Sequence, residues 1–183
     1  MSVAEVYGEV LFDLAEESND INLFFDKIKF LDENILSERS FLNFVLNPDI
    51  SLKEKEIFLC RFIFESSDFM DRCILNFFLV LIDKNRFIEI SSIIDSFYDF
   101  YYDYKNILRA SVFSKIKLSD KILSDIKLFL GKKYNKGIYL KNIIDSEIIA
   151  GFIIEFKGIT IDCSFNKELN DFKRNLSKID FLV

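Results

Sequence analysis

YYDYKNILRASVFSKIKLS, residues 101–119, is the stretch in which the chain changes its grammar. Before it, Phe87, Ile90, Ile94, Phe97, Tyr101, Tyr104 and Leu108 recur at spacings of 3 and 4, the seam of a helix. From Arg109 to Lys115 the sequence is strand-like, and Leu118-Ser119 opens a new helix. Charge changes sign at the same place. Residues 1–105 carry 10 Lys and Arg against 21 Asp and Glu, a net −11; residues 106–183 carry 14 against 9, a net +5. This predicts a boundary near residues 105–109 and two units, 1–105 and 106–183, with different partners.

Working back from that stretch, the pattern is helical throughout. Val3, Tyr7, Val10, Leu11, Leu14 and Ala15 share one helical face, with Ser2 as N-cap. A second helix is predicted from about Asp20 to Ile35, with Leu23, Phe24, Ile28 and Leu31 inward. A third runs from about Glu38 to Leu46 and closes at Asn47, because Pro48 disfavours α geometry there. Ser51 and Glu54 form a capping box for a fourth helix with Ile57, Phe58, Phe62 and Ile63 as its apolar positions. The fifth, about Asp68 to Asp83, is apolar on every side after Cys73, so it is central or offers a side to a partner. The sixth begins near Asn85 or Arg86.

Working forward, Ile122, Leu123, Ile126, Phe129 and Leu130 lie on one face of a helix that Asn135-Lys136-Gly137 stops. Ile138 to Ile144 is β-rich. Ala150 to Phe156 and Ile159 to Cys163 read as a hairpin joined at Lys157-Gly158. A last amphipathic helix carries Leu169, Phe172 and Leu176. The predicted class is α+β: a six-helix N-terminal bundle, then a small mixed α/β domain of order β-α-β-β-β-α.

Composition narrows the function. With 183 residues the chain is long enough for a real core. It has no His, which removes the commonest general base, the commonest metal ligand and the Ser–His or Cys–His nucleophiles. The acidic pairs Glu16/Glu17 and Asp32/Glu33 are sequence neighbours that diverge by about 100° on a helix, a solvated face rather than an acid–base pair. The five glycines never make a phosphate-binding loop. Cys60, Cys73 and Cys163 show no CxxC spacing and are expected as buried small hydrophobes in a reducing compartment, with a metal site or disulfide as the lesser alternative. No catalytic, cofactor or metal residue is therefore assigned. No leader is visible, and the most apolar stretch, Ile74 to Ile82, is nine residues where a span needs about 20, so a soluble protein is expected. The overall charge of −6 argues against nucleic acid. The basic run Lys127, Lys132, Lys133, Lys136 and Lys141, with Tyr134 and Tyr139 among it, reads first as a helix end favoured by the dipole, or as a protein contact.

Six fragments in order resemble one family. Tyr7-Gly8-Glu9-Val10-Leu11-Phe12-Asp13-Leu14-Ala15 is similar to a Y-A-x-A-L-F-x-L-A opening. Asn47-Pro48-Asp49-Ile50-Ser51 with Lys55 resembles N-P-x-I-S…K. Asn76-Phe77-Phe78-Leu79-Val80-Leu81-Ile82 with Arg86 resembles N-F-L-x-L-L…R. Val112, Ser114, Leu118 and Ser119 match V-x-S-x-x-x-L-S. Ile144-Asp145 with Ile148 to Phe152, and Ile161 to Ser164, resemble V-D…L-I-G-G-x and I-D-G-S. These are marks of the delta subunit of F-type ATP synthases, the oligomycin-sensitivity-conferring protein family. Gly8 and Ala150 are small-for-small exchanges. Cys163 stands where the family usually has Gly, which suggests less backbone strain at that turn, and Asn166 where it often has Arg.

The resemblance implies a non-catalytic stator subunit on the peripheral stalk, needed for ATP synthesis coupled to hydrogen ion transport, one copy per complex. It implies that the N-terminal bundle grips the alpha subunits, possibly also beta, and that the C-terminal domain holds the b-subunit end. It places the protein peripherally on the cytoplasmic face of a bacterial inner membrane, or the stromal side of a thylakoid, without membrane insertion. Under that reading the alpha-subunit groove is expected at Tyr7, Val10, Leu11 and Leu14 facing Phe78, Val80 and Ile82. The b-subunit contact is expected at Lys132, Lys133 and Lys136. The competing readings are a helical RNA-binding or antitermination-type adaptor using the basic part, and an enzyme of unknown type.

Overall fold

In the computed structural model, which describes residues 2–18, 20–62 and 68–164, six α-helices precede a sheet. They are α1 (Val3–Glu17), α2 (Ile21–Leu31), α3 (Arg39–Leu46), α4 (Leu52–Phe62), α5 (Phe69–Asp83) and α6 (Ile90–Tyr104). The chain divides into two units, Met1–Tyr101 and Tyr102–Val183.

Local chemistry sets the helix starts. Ser2 Oγ accepts from the Glu5 amide at 3.1 Å while Glu5 accepts from the Ser2 amide at 2.7 Å, a closed capping box. Ser51 and Glu54 repeat the device on α4, at 3.3 and 2.9 Å. Asp20 and Asp68 cap α2 and α5. Each such cap removes an orphan amide and contributes about 1 kcal/mol. Asn47 ends α3 in an extended conformation ahead of Pro48.

The first unit is an aromatic-rich bundle. Leu11, Phe24, Ile28, Ile74, Phe78, Leu81, Ile93 and Phe97 are closed to solvent. Phe25 stacks on Tyr101 at 3.9 Å between ring centroids, and Phe78 meets Phe87 edge-on at 5.6 Å. Gly8 lets α1 cross α6 closely: a Cβ there would come within 2.6 Å of Ser96 Cβ.

Several expected core positions are displaced. Val3 and Val10 on α1, Leu23 on α2 and Ile57 on α4 are exposed, while Phe25, Leu59 and the stem of Lys55 are buried. In each case the buried stripe is narrower than the apolar stripe, or rotated from it, because a neighbour covers only one flank. The second helix leaves α geometry after Leu31 and passes through a π-helical turn, Asp32–Leu36; Tyr98 donates to Asp32 there at 3.0 Å. The sixth helix is preceded by a 3₁₀ turn, Phe87–Glu89, and its seam ends early: Tyr104 is exposed and Leu108 belongs to a strand. Asn106, at φ 54°, turns the chain out of the helix.

The second unit is built on a sheet of β1 (Ile107–Ser114), β2 (Gly137–Ile144), β3 (Gly151–Phe156) and β4 (Ile159–Ser164), in the order β2-β1-β3-β4. β1 and β2 are parallel and joined by α7 (Asp120–Tyr134); β3 runs antiparallel to β1 and β4. Ser119 caps α7, and Asn135 at φ 51° closes it. Lys157 and Gly158, both at positive φ, make the two-residue hairpin turn. Strict alternation along β1 buries Leu108, Ala110 and Val112, which pack with Ile126 and Leu130 of α7 and Ile154 and Phe156 of β3. Gly151 at φ 85° has no room for a Cβ against the Cys163 carbonyl. Cys163 itself lies in β4 opposite Phe152, in a strand rather than a turn. The final helix expected around Leu169, Phe172 and Leu176, together with Asn166, Ile63 and the Phe62 side chain, lies outside the described residues.

One polar knot ties the second unit together. Asn142 Nδ2 donates to the Val112 carbonyl at 3.0 Å and to Ser114 Oγ at 2.8 Å, and its Oδ1 accepts from the Leu118 amide at 2.9 Å. Ser114 Oγ donates onward to the Ile116 carbonyl at 2.9 Å. Val112, Ser114 and Leu118 of the V-x-S-x-x-x-L-S pattern thus meet around Asn142 and hold the β1–α7 turn, while Ser119 caps α7.

Candidate functional site

The N-terminal candidate surface rests on α1 and α5. Tyr7 of α1 meets Phe77 of α5 edge-on at 6.3 Å, so these helices are brought together. Val10 lies one turn beyond Tyr7 and Val80 one turn beyond Phe77. Val10 is 43% exposed, Val80 49% and Val6 45%. Tyr7 and Leu14 are half-buried. Leu11, Phe78 and Ile82, expected in the groove, are instead buried in the bundle core, because they lie on the faces of α1 and α5 that their neighbours cover. Val6, missed by the sequence reading, extends the valine row on α1 together with Val3.

Lys27 pins the start of α5 to α2. Its Nζ reaches Asp71 at 2.7 Å and Asp68 at 3.0 Å. Burial pulls the Lys27 ammonium down, but the hydrogen bonds and charges of Asp71 and Asp68 outweigh it and leave its pKa above the ordinary 10.5.

The C-terminal candidate surface lies on α7. Lys132 and Lys133 are exposed and Lys136 is half-buried. They do not act as one cluster. Lys132 and Lys136 line a cleft of about 390 Å³ with Lys127, Leu128 and Ile138. Lys133 is not in that lining; its Nζ sits 5.8 Å from the Phe129 ring and 5.6 Å from the Tyr134 ring. Lys136 approaches Asp103 at 3.8 Å, but Lys157 already holds that carboxylate at 2.6 Å. A separate apolar groove of about 340 Å³ runs along α7 between Ile122, Ile126 and Phe129 and the strand residues Phe152 and Ile161. Ile122 and Phe129, expected inward, are exposed there.

The three cysteines carry free thiols. Cys60 and Cys163 are exposed and only Cys73 is half-buried, which corrects their expected burial. Burial, then the Glu17 charge, raises the Cys73 pKa. Among the described residues no helix is long and apolar enough to cross a membrane.

These surfaces describe a two-unit protein: a helical unit with an exposed aliphatic row and a sheet unit with a basic cleft. Comparison with known proteins gives the family. The model of the ATP synthase delta (OSCP) subunit family matches residues 3–176. A relative named ATP synthase subunit delta from Enterococcus hirae is 33% identical over 180 residues, covering 97% of both chains. Another of that name from an Exiguobacterium species is 28% identical over 175 residues, covering 96% of this chain and 97% of its own. In fold, the chain is similar to one in the cryo-EM structure of the Toxoplasma gondii mitochondrial ATP synthase hexamer, at a TM-score of 0.75 and 14% identity, covering 96% of this chain and 98% of that one.

The chain belongs to the ATP synthase delta (OSCP) subunit family. It is a structural, not a catalytic, component of the peripheral stalk of an ATP synthase. The RNA-adaptor reading gains no support from these matches.

Proposed function

We propose that this chain clamps the catalytic head of the ATP synthase to the b-subunit stalk, with residues 1–105 on the head and residues 106–183 on the stalk. The complex is membrane-bound and the chain attaches to it peripherally, one copy per complex. The observation that carries the head contact is the row Val3, Val6 and Val10 left exposed on α1, with Val80 exposed on α5. A solvated helix does not need a valine row. An amphipathic helix laid along it, as the N-terminal helix of an alpha subunit would be, removes it from water. Holding a head against rotor torque requires tight apolar contact and no reactive group.

The test is binding of the full chain to the catalytic head. Val10→Asp and Val80→Asp each place a charge in a desolvated contact and are expected to weaken binding by about 2–4 kcal/mol. Unchanged binding by both variants, with wild-type melting, contradicts this surface.

A further inference from the structure

We infer that the basic cleft at the end of α7 is the seat of an acidic, amphipathic segment of the stalk subunit, with Lys127 added to the contact and Lys133 removed from it. This rests on the reading that the second unit holds the stalk. Lys127, Lys132 and Lys136 converge on one cleft, and no carboxylate is among its lining residues. Asp103 is the acid Lys136 approaches, and Lys157 holds it more closely. The partial negative charge at the end of α7 offsets part of this positive charge, but only within the last turn, and Lys127 lies two turns back from Asn135.

Leu128, 61% exposed, and Ile138 give the cleft apolar wall. Three ammonium groups over aliphatic wall fit a peptide that presents Asp or Glu beside an aliphatic residue. A nucleic-acid backbone has no use for that wall, and the cleft lining contains no aromatic residue on which a base could stack. Lys133, parked over Phe129 and Tyr134, is directed to the other side of the helix end.

Leu128 and Phe129 separate the alternatives because neighbouring residues on α7 line different depressions, the basic cleft and the apolar groove. A photo-crosslinking amino acid is placed at Leu128 or at Phe129 of the full chain and presented to the extramembrane part of the stalk b subunit of the same organism. Crosslinking from 128 to a stalk peptide containing Asp or Glu is expected. In parallel, association rates are measured for wild type and Lys127→Glu/Lys132→Glu, both exposed positions, with melting as the folding control. The double variant is expected to associate about tenfold more slowly at low salt, and the gap is expected to close as salt approaches 1 M, where screening reaches about 3 Å. Crosslinking from 129 but not 128, or equal rates at low salt, overturns the cleft while leaving the stalk reading intact. Crosslinking from neither position likewise overturns the cleft, and failure of the wild-type chain to bind the b subunit at all overturns the stalk reading with it. Reduced binding of oligouridylate with unchanged stalk association makes the cleft a nucleic-acid site and likewise overturns the inference.

Discussion

Gly8 and Lys27 show how single side chains fix the bundle. At Gly8 the missing Cβ is the reason α1 can lie against Ser96 and the α6 backbone. Gly8→Val is expected to force the helices apart and destabilise the fold by about 1–3 kcal/mol, read as a lowered denaturant midpoint at unchanged slope. Lys27 acts through charge. Its folded pKa is raised, so the stability it adds is fully present below the unfolded value near 10.5 and is lost as pH rises through the folded value. Lys27→Met is therefore expected to be less stable than wild type at pH 7 to 9, with the difference shrinking above about 10.5. A pH-independent difference would mean that packing of the lysine stem, not its ion pairs, is what matters. Asn142→Ala, which strips the β1–α7 turn of three hydrogen bonds, is expected to cost about 1–3 kcal/mol in the same assay.

Elements were legible in the sequence wherever a local device specifies them. Ser51 with Glu54, Asn135 before Lys136-Gly137, and Lys157-Gly158 name a helix start, a helix stop and a hairpin from a few residues each, and the structure uses all three. What the local pattern does not contain is which flank of an apolar face a neighbour covers. Val10 and Leu11 are equally apolar, yet one is a surface and the other is core. Lys55 takes an inward position on α4 while Ile57 faces out, the reverse of their polarity. The heptad spacing ran on to Leu108 because a β residue three or four places past a helix end fits the helical period by coincidence; Asn106 is the signal that stops it. The candidate site divided in the same way. Tyr7 and Val10 fall on α1 and Phe78 and Val80 on α5, as their spacing predicts, but which of them stay exposed, and which of Lys127, Lys132, Lys133 and Lys136 share one cleft, depends on how neighbouring elements pack.

Across the full chain, charge and fold change together, and under the proposed function two separate surfaces serve two separate partners. A single experiment tests that division: reconstitution of the catalytic head, the full chain and the extramembrane b subunit, with recovery of each partner scored for wild type, Val10→Asp and Lys127→Glu/Lys132→Glu. Wild type is expected to recover both partners. Val10→Asp is expected to lose the head and keep the stalk, and the lysine double variant is expected to keep the head while capturing the stalk slowly at low salt. Loss of both partners from either variant, with folding intact, or retention of both by Val10→Asp, would contradict a chain that grips its two partners through independent surfaces.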